Sequence, residues 1–72
     1  MAQLTVAQYD ALEGAIRDGR RVAVWRRGTE YVVIPERLAL RGRREAIEAR
    51  HPVTGQPLVL WVDEAEAIEV VR

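Results

Sequence analysis

Length and composition exclude several classes of protein. The 72 residues suffice for one small domain, residues 1–72. The chain has no Cys, so disulfides and thiolate metal sites cannot support so small a core, and self-association is the aid that remains. No apolar run approaches the roughly 20 residues of a membrane span, and the first five residues lack a signal-peptide pattern. We therefore expect a cytoplasmic protein without membrane contact.

The net charge is zero, but the charges are unevenly distributed along the chain. Residues 17–50 hold ten Arg and five acidic residues, whereas residues 51–72 hold four acids and one Arg. Such asymmetry is typical of a protein with an anionic partner, and the planar fork of Arg matches phosphate and stacks on flat groups. The alternative is that the two segments neutralise each other in the fold.

The N-terminal segment has the pattern of an amphipathic helix over about residues 5–18. Thr5 is a suitable N-cap, and Gln8 completes a capping box. The helical face is formed by Tyr9, Leu12 and Ile16. Gly19 follows at the position of a left-handed C-cap, which ends the helix.

After Gly19 the apolar period changes to 2, which predicts short strands and tight turns over about residues 21–71. The expected strands are 21–26, 31–34, 45–50, 58–62 and 68–71, with a short helical turn at 63–67. A helix is the alternative for 45–50, which contains good helix formers. One helix and five sequential short strands predict a mostly β fold, closed into an SH3-like or Sm-like barrel.

Pro35 is expected to end the second strand, because proline cannot donate a hydrogen bond to the ladder. Residues 36–42 then become a connector between strands. Leu38 and Leu40 are its two apolar anchors.

A series of short motifs follows in order along residues 12–71. It comprises Ala15-Ile16, Val22-Ala23-Val24-Trp25, Val33-Ile34-Pro35, Leu38, Ile47-Glu48-Ala49 and the segment 63–68. This series resembles a WYL-type domain, the Sm-like barrel module of many bacterial transcriptional regulators. The tripeptide that names the family falls near Glu45-Ala46-Ile47, where two of its three side chains are absent, and the family's helix-turn-helix domain has no counterpart here. The resemblance implies a stand-alone barrel with an altered ligand face and a role in sensing nucleotide or nucleic-acid ligands.

Six arginines form the candidate binding site. They are Arg26, Arg27, Arg37, Arg41, Arg43 and Arg44. Four of them surround a connector that should be exposed, and with the first hairpin they could line a groove for the phosphates of nucleic acid or a nucleotide. The alternative is a solvated loop whose charges pair with Glu36, Glu45 and Glu48.

Three aromatic residues lie on expected strands: Trp25, Tyr31 and Trp61. Such side chains stack on bases in small barrels, but they also supply buried area in cores and subunit interfaces. Trp25 alternates with Val22 and Val24, so it is exposed if those valines point inwards.

The usual catalytic residues are missing. The chain has one His, His51, and neither Ser nor Cys, so we expect no enzyme, no metal and no cofactor. Asp63, Glu64 and Glu66 fit an exposed helical turn better than a cation loop. The sequence therefore favours a non-enzymatic module that binds nucleic acid or a nucleotide and forms homo-oligomers. The alternative is a protein-interaction or self-assembling structural module that uses exposed strands and Trp25.

Overall fold

The computed structural model describes residues 3–71 and contains one helix and a five-stranded antiparallel sheet. The elements are the helix α1 (Val6–Asp18) and the strands β1 (Val22–Arg26), β2 (Thr29–Arg41), β3 (Arg44–Arg50), β4 (Pro57–Trp61) and β5 (Ala67–Val70), with a 3-10 turn η1 (Val62–Glu64) between β4 and β5. The expected mostly β class with one helix is confirmed. Residues 1, 2 and 72 of the expected domain lie outside the described residues.

Local hydrogen bonds define both ends of α1. The Thr5 hydroxyl accepts a hydrogen bond from the Gln8 N–H at 3.1 Å, and the Gln8 side chain accepts from the Thr5 N–H at 2.9 Å. Gly19 adopts the left-handed conformation with φ of 68°, and its N–H donates to the carbonyl of Ala15. This conformation costs a residue with a Cβ free energy, so Gly19 ends the helix where the sequence predicts.

The strand order is β4-β3-β2-β1-β5, and no pairing joins β4 to β5 within residues 3–71. The first hairpin turns through Arg27 and Gly28, both with positive φ, of 52° and 75°. Two consecutive left-handed residues match the right-handed twist of the flanking strands, so they suit a two-residue hairpin. β2 is long enough to pair with β1 up to Val33 and with β3 from Ile34 onwards.

The predicted strand end at Pro35 is wrong, as is the predicted connector over residues 36–42. β2 continues to Arg41, with Pro35 paired to Ala49 and the register shifting between Pro35 and Arg37. A β-bulge tolerates a proline because the ladder is already interrupted there. Leu38 packs against the core, whereas Leu40 is 70% exposed and anchors nothing.

The core lies between α1 and the inner face of the bent sheet. It contains Leu4, Leu12, Ala15, Val22, Val24, Val33, Ile47, Ala49, Leu60, Val62 and Ala65. Val22 and Val24 point inwards, which places Trp25 on the outer face, where it is half-buried. Tyr9 joins the helix to the start of β3 by donating a hydrogen bond from its hydroxyl to the Glu45 carboxylate.

The bulge changes which residues of β2 face outwards. Before it, the even-numbered positions 30, 32 and 34 lie opposite the core side chains, and after it the odd-numbered positions 37, 39 and 41 do. Glu36 is the inserted residue that allows this change of phase. In a regular strand without the bulge, the same sequence would point Arg37 inwards and Leu38 outwards.

Insertion of one alanine between Arg37 and Leu38 should therefore be far more damaging than loss of the Glu36 side chain. We expect the insertion to lower the free energy of unfolding by about 3 kcal/mol or more, because it reverses the side chains of β2 from Leu38 onwards. Glu36→Ala, which removes only an exposed ion pair with Arg50, should stay within about 0.5 kcal/mol of the parent. Urea unfolding followed by tryptophan fluorescence measures both, and equal stability of the two variants would contradict the role of the bulge.

Candidate binding face on the outer side of the sheet

Cross-strand register gathers three of the six candidate arginines on one face. Arg37 lies opposite Glu48, and Arg41 lies opposite Arg44. Ala46, which is two residues from both Arg44 and Glu48 on β3, lies opposite Trp61. Side chains two residues apart on a strand share a face, as do directly opposed pairs. We call this outer side of β2, β3 and β4 the arginine face; it carries Arg37, Arg41, Arg44, Glu48, Val59 and Trp61.

Arg37 and Arg41 meet at one carboxylate oxygen. Their Nη2 atoms lie 3.1 and 3.0 Å from Oε2 of Glu48. The Glu48 side chain is 25% exposed, whereas those of Arg37 and Arg41 are 69% and 49% exposed. The two guanidinium groups hold the pKa of Glu48 below its usual value, mainly through these hydrogen bonds.

Arg44 is the most heavily bonded side chain of the arginine face. Its Nε and Nη2 each lie 2.8 Å from a different carboxylate oxygen of Asp63, and Nη2 also lies 3.2 Å from Glu64. The guanidinium sits over the Trp61 ring, 4.1 Å from its centroid. This bidentate, stacked arrangement is one that Lys cannot reproduce. It raises the pKa of Arg44 and lowers that of Asp63, chiefly through their mutual hydrogen bonds.

Glu64 connects Arg26 to the arginine face. Its carboxylate lies 3.4 Å from Nη1 of Arg26. The Arg26 guanidinium also packs over the Tyr31 ring, 5.2 Å from its centroid, and its Nη2 donates to the Tyr31 hydroxyl at 3.2 Å. This hydrogen bond is the main cause of the raised pKa of Arg26. Tyr31 is partly buried and packs against the core, and the Arg26 guanidinium lies over its ring.

The remaining two candidates lie in turns. Arg27 is in the β1–β2 hairpin and Arg43 in the β2–β3 hairpin, and both are exposed. Neither has an acidic partner within ion-pair distance among residues 3–71. Arg43 borders the arginine face next to Arg44, whereas Arg27 belongs to the hairpin of the other half of the sheet.

Most of the candidate arginines pair with acids within the fold, whereas the expected anionic partner stays a prediction. Four of the six candidate arginines are ion-paired. Of the three acids named as alternative partners, Glu48 pairs with Arg37 and Arg41, Glu36 pairs with Arg50, and Glu45 bonds Tyr9 instead. Sequence reasoning did not identify Asp63 and Glu64 as partners of Arg44. The pairing of β3 with β4 carries the signal, because it places the residues after Trp61 beside Arg44.

Trp25 and its neighbours form a second outer surface, on β1, β2 and β5. Trp25 lies opposite Glu30 on β2 and Ala67 on β5, and Ala23 lies opposite Val32. We call this the Trp25 surface; it comprises Trp25, Val32, Ile34 and Ala67, with Glu30 and Glu69 beside them, whereas Ala23 on the same side of the sheet is buried. It is mainly apolar, in contrast to the arginine face.

His51 and the remaining acids have local structural contacts. The Nδ1 of His51 accepts hydrogen bonds from the N–H groups of Val53 and Thr54 at 3.1 and 3.2 Å, which shapes the β3–β4 turn. Glu66 accepts from the Gly28 N–H at 2.8 Å. Residues 3–71 contain no group of three or more His, Cys, Asp or Glu suited to a metal ion. In the same range, no helix has the length and apolarity to cross a membrane.

Comparison with known proteins gives no matching family model, no matching curated protein and no matching solved structure. The resemblance to WYL-type domains therefore stays a prediction based on the sequence motifs. The geometry of the two outer surfaces is the basis for assigning a function.

The ion pairs of the arginine face should make stability sensitive to acid. Because the folded state lowers the pKa values of Glu48 and Asp63, their stabilising effect is complete above the ordinary carboxyl range and is lost as pH falls through the folded values. The double variant Glu48→Gln/Asp63→Asn should show a shallower loss of stability below about pH 4. Urea midpoints between pH 2.5 and 7 measure this. Asp10→Asn/Glu13→Gln, which removes two charges from the exposed side of α1, is the control and should keep the parent's profile.

Proposed function

We propose that this chain is a non-enzymatic binding module that takes nucleic acid or a nucleotide on its arginine face. The observation that carries the proposal is the placement of Arg37, Arg41 and Arg44 on the same outer face as Trp61. Guanidinium groups bind phosphates, and bases stack on aromatic rings or on guanidinium planes. The arginine face thus offers guanidinium groups to the phosphate of a nucleotide and flat stacking groups to its base.

The proposed fold is an Sm-like or SH3-like small barrel of the WYL type. Three features support it: the order β4-β3-β2-β1-β5, the long β2 shared by both halves of the sheet, and the 3-10 turn between β4 and β5. In such a barrel the helix covers the core on one side, which leaves the outer faces of the strands for ligands. A regulatory role would follow from ligand binding rather than from catalysis.

The acids on the arginine face make binding an exchange of partners. A phosphate that approaches Arg37, Arg41 or Arg44 meets side chains already hydrogen-bonded to Glu48 or Asp63. Each guanidinium has five N–H donors, so several remain for an incoming oxygen. We therefore expect affinity to be moderate and to fall with salt.

The triple variant Arg37→Ala/Arg41→Ala/Arg44→Ala should lose binding to single-stranded oligonucleotides. We expect at least about a tenfold weaker affinity and a salt slope smaller by roughly 2, for three lost phosphate contacts. Fluorescence anisotropy with labelled DNA and RNA oligonucleotides at several salt concentrations measures both quantities. Arg17→Ala/Arg20→Ala/Arg21→Ala removes the same charge at the end of α1 and should bind like the parent. Unchanged affinity of the first variant would overturn the proposal.

A second candidate function is self-assembly or protein interaction through the Trp25 surface. The observation that favours it is the half-buried Trp25 among Val32, Ile34 and Ala67, on the outer side of the sheet. Tryptophan is enriched at interfaces, and a domain this small gains stability by burying apolar area between copies. The end strands β4 and β5 add unpaired backbone that could join another chain.

Trp25→Ala should then convert an oligomer to a monomer without weakening oligonucleotide binding. Trp61→Ala, the same truncation on the arginine face, should keep the oligomer and weaken binding. Size-exclusion chromatography with light scattering gives the mass, and absorbance at two wavelengths reports any co-purifying nucleic acid. A Trp25→Ala protein of parental mass would remove the Trp25 surface from the assembly, and circular dichroism checks that both variants fold.

A further inference from the structure

The convergence of Arg37 and Arg41 on one atom of Glu48 is the most specific feature of the arginine face. The two arginines lie four residues apart on β2, both on the outer side, with Ala39 between them. Their Nη2 atoms approach the same oxygen, Oε2, at 3.1 and 3.0 Å. Two guanidinium groups directed at one oxygen form the arrangement by which proteins recognise an oxyanion.

The exposure of the three side chains shows which member of the cluster can be replaced. Glu48 is 25% exposed, on the central strand β3, while Arg37 and Arg41 are 69% and 49% exposed above it. Both arginines are flexible on long stems and face solvent with most of their N–H donors. A solvent anion can therefore reach them without rearrangement of the sheet.

The charges of the cluster do not balance. Two guanidinium groups share one carboxylate, which leaves an excess of one positive charge at this point of the face. Arg44 differs, because Asp63 and Glu64 together supply two carboxylates to its one guanidinium, and the Trp61 ring covers one face of that guanidinium. Of the two sites, the one formed by Arg37 and Arg41 is the one with capacity for a further anion.

We infer that Arg37 and Arg41 form an oxyanion site that Glu48 occupies in the free protein and that a terminal phosphate group of the ligand takes over. The Glu48 carboxylate carries one negative charge and is held beside the two arginines by the chain. An incoming group must therefore carry more negative charge to replace it. A terminal phosphate carries nearly two charges at neutral pH, whereas an internal phosphodiester carries one. The site therefore selects a free nucleotide or a phosphorylated strand end over the interior of a strand.

The position of the site fits such a ligand. Arg41 lies directly opposite Arg44 across the hairpin, and neighbouring strands are about 4.8 Å apart. The Arg44–Trp61 stack thus lies beside the oxyanion site, where the base or sugar of a bound nucleotide would contact it. This inference rests on the proposed function for the identity of the ligand, but the oxyanion site itself does not.

The test uses inorganic pyrophosphate as the probe, with isothermal titration calorimetry on the full chain. Glu48→Gln keeps the shape of the side chain and removes its charge, so it should bind pyrophosphate about fivefold more tightly than the parent, as expected for removal of one nearby like charge in water-like surroundings. Arg41→Ala should lose most of that binding. Arg20→Ala removes one exposed positive charge at the end of α1 and should bind like the parent.

A second measurement compares one oligonucleotide with a 5′-phosphate and with a 5′-hydroxyl. The parent should prefer the 5′-phosphate, and Arg41→Ala should bind both forms equally. The inference is overturned if Glu48→Gln gains no affinity for pyrophosphate or if Arg41→Ala and Arg20→Ala lose it equally.

The two proposals fail in different ways. Loss of oligonucleotide binding in the triple arginine variant, with no effect of Glu48→Gln on pyrophosphate, would keep the function and reject the oxyanion site. Tighter pyrophosphate binding in Glu48→Gln, with oligonucleotide binding unchanged in the triple variant, would keep the oxyanion site and reject the function.

Discussion

The bulge in β2 is the constraint on which both outer surfaces depend. β2 joins the two halves of the sheet, and its side chains change phase between Pro35 and Arg37. One inserted residue allows Val33 and Leu38 to share the core although their spacing is odd, and it turns Arg37 and Arg41 to the outside. In a strand of even alternation, Arg37 would point into the core without a partner and Leu38 would point to solvent, which is destabilising. The arginine face therefore exists because the strand is irregular at one place.

Charge pairing within the fold neutralises much of the positive charge on the outer side of β2 to β4. Asp63 and Glu64 follow Trp61, and they bind Arg44 and Arg26 from two different strands. These contacts join the turn after β4 to both halves of the sheet. Exposed ion pairs contribute little to stability individually, but a connected set around a stacked, bidentate Arg44 restrains the orientation of Trp61. The same pairs keep the local field weak, so a ligand must exchange with acids rather than meet an open positive patch.

Sequence signals were sufficient where the cause of a structure is local. Thr5, Gln8 and Gly19 predict the helix ends because caps depend on a few adjacent residues, and the inward direction of Val22 and Val24 correctly places Trp25 outside. The continuation of β2 was missed because the rule for proline assumes an uninterrupted ladder. A signal was nevertheless present in the sequence. The apolar residues that face the core occupy the odd positions 31 and 33 and then the even position 38, and a regular strand with a period of two cannot place all three on one face. The partners of Arg44 could not be read from the sequence, because they depend on the register of β3 with β4.

The two outer surfaces differ in what they require from a partner. On the Trp25 surface, half-buried apolar groups gain free energy from any contact that removes them from water, so selectivity must come from shape and from the flanking Glu30 and Glu69. On the arginine face, Glu48 and Asp63 already accept hydrogen bonds from the arginines. A ligand therefore gains by replacing them only if it carries more negative charge or accepts these hydrogen bonds in a better geometry. An internal competitor of this kind lowers the affinity of every anion for the site by the same factor, so the preference for a terminal phosphate comes from its larger charge. Self-pairing thus raises the affinity that an anion needs before it displaces the acids.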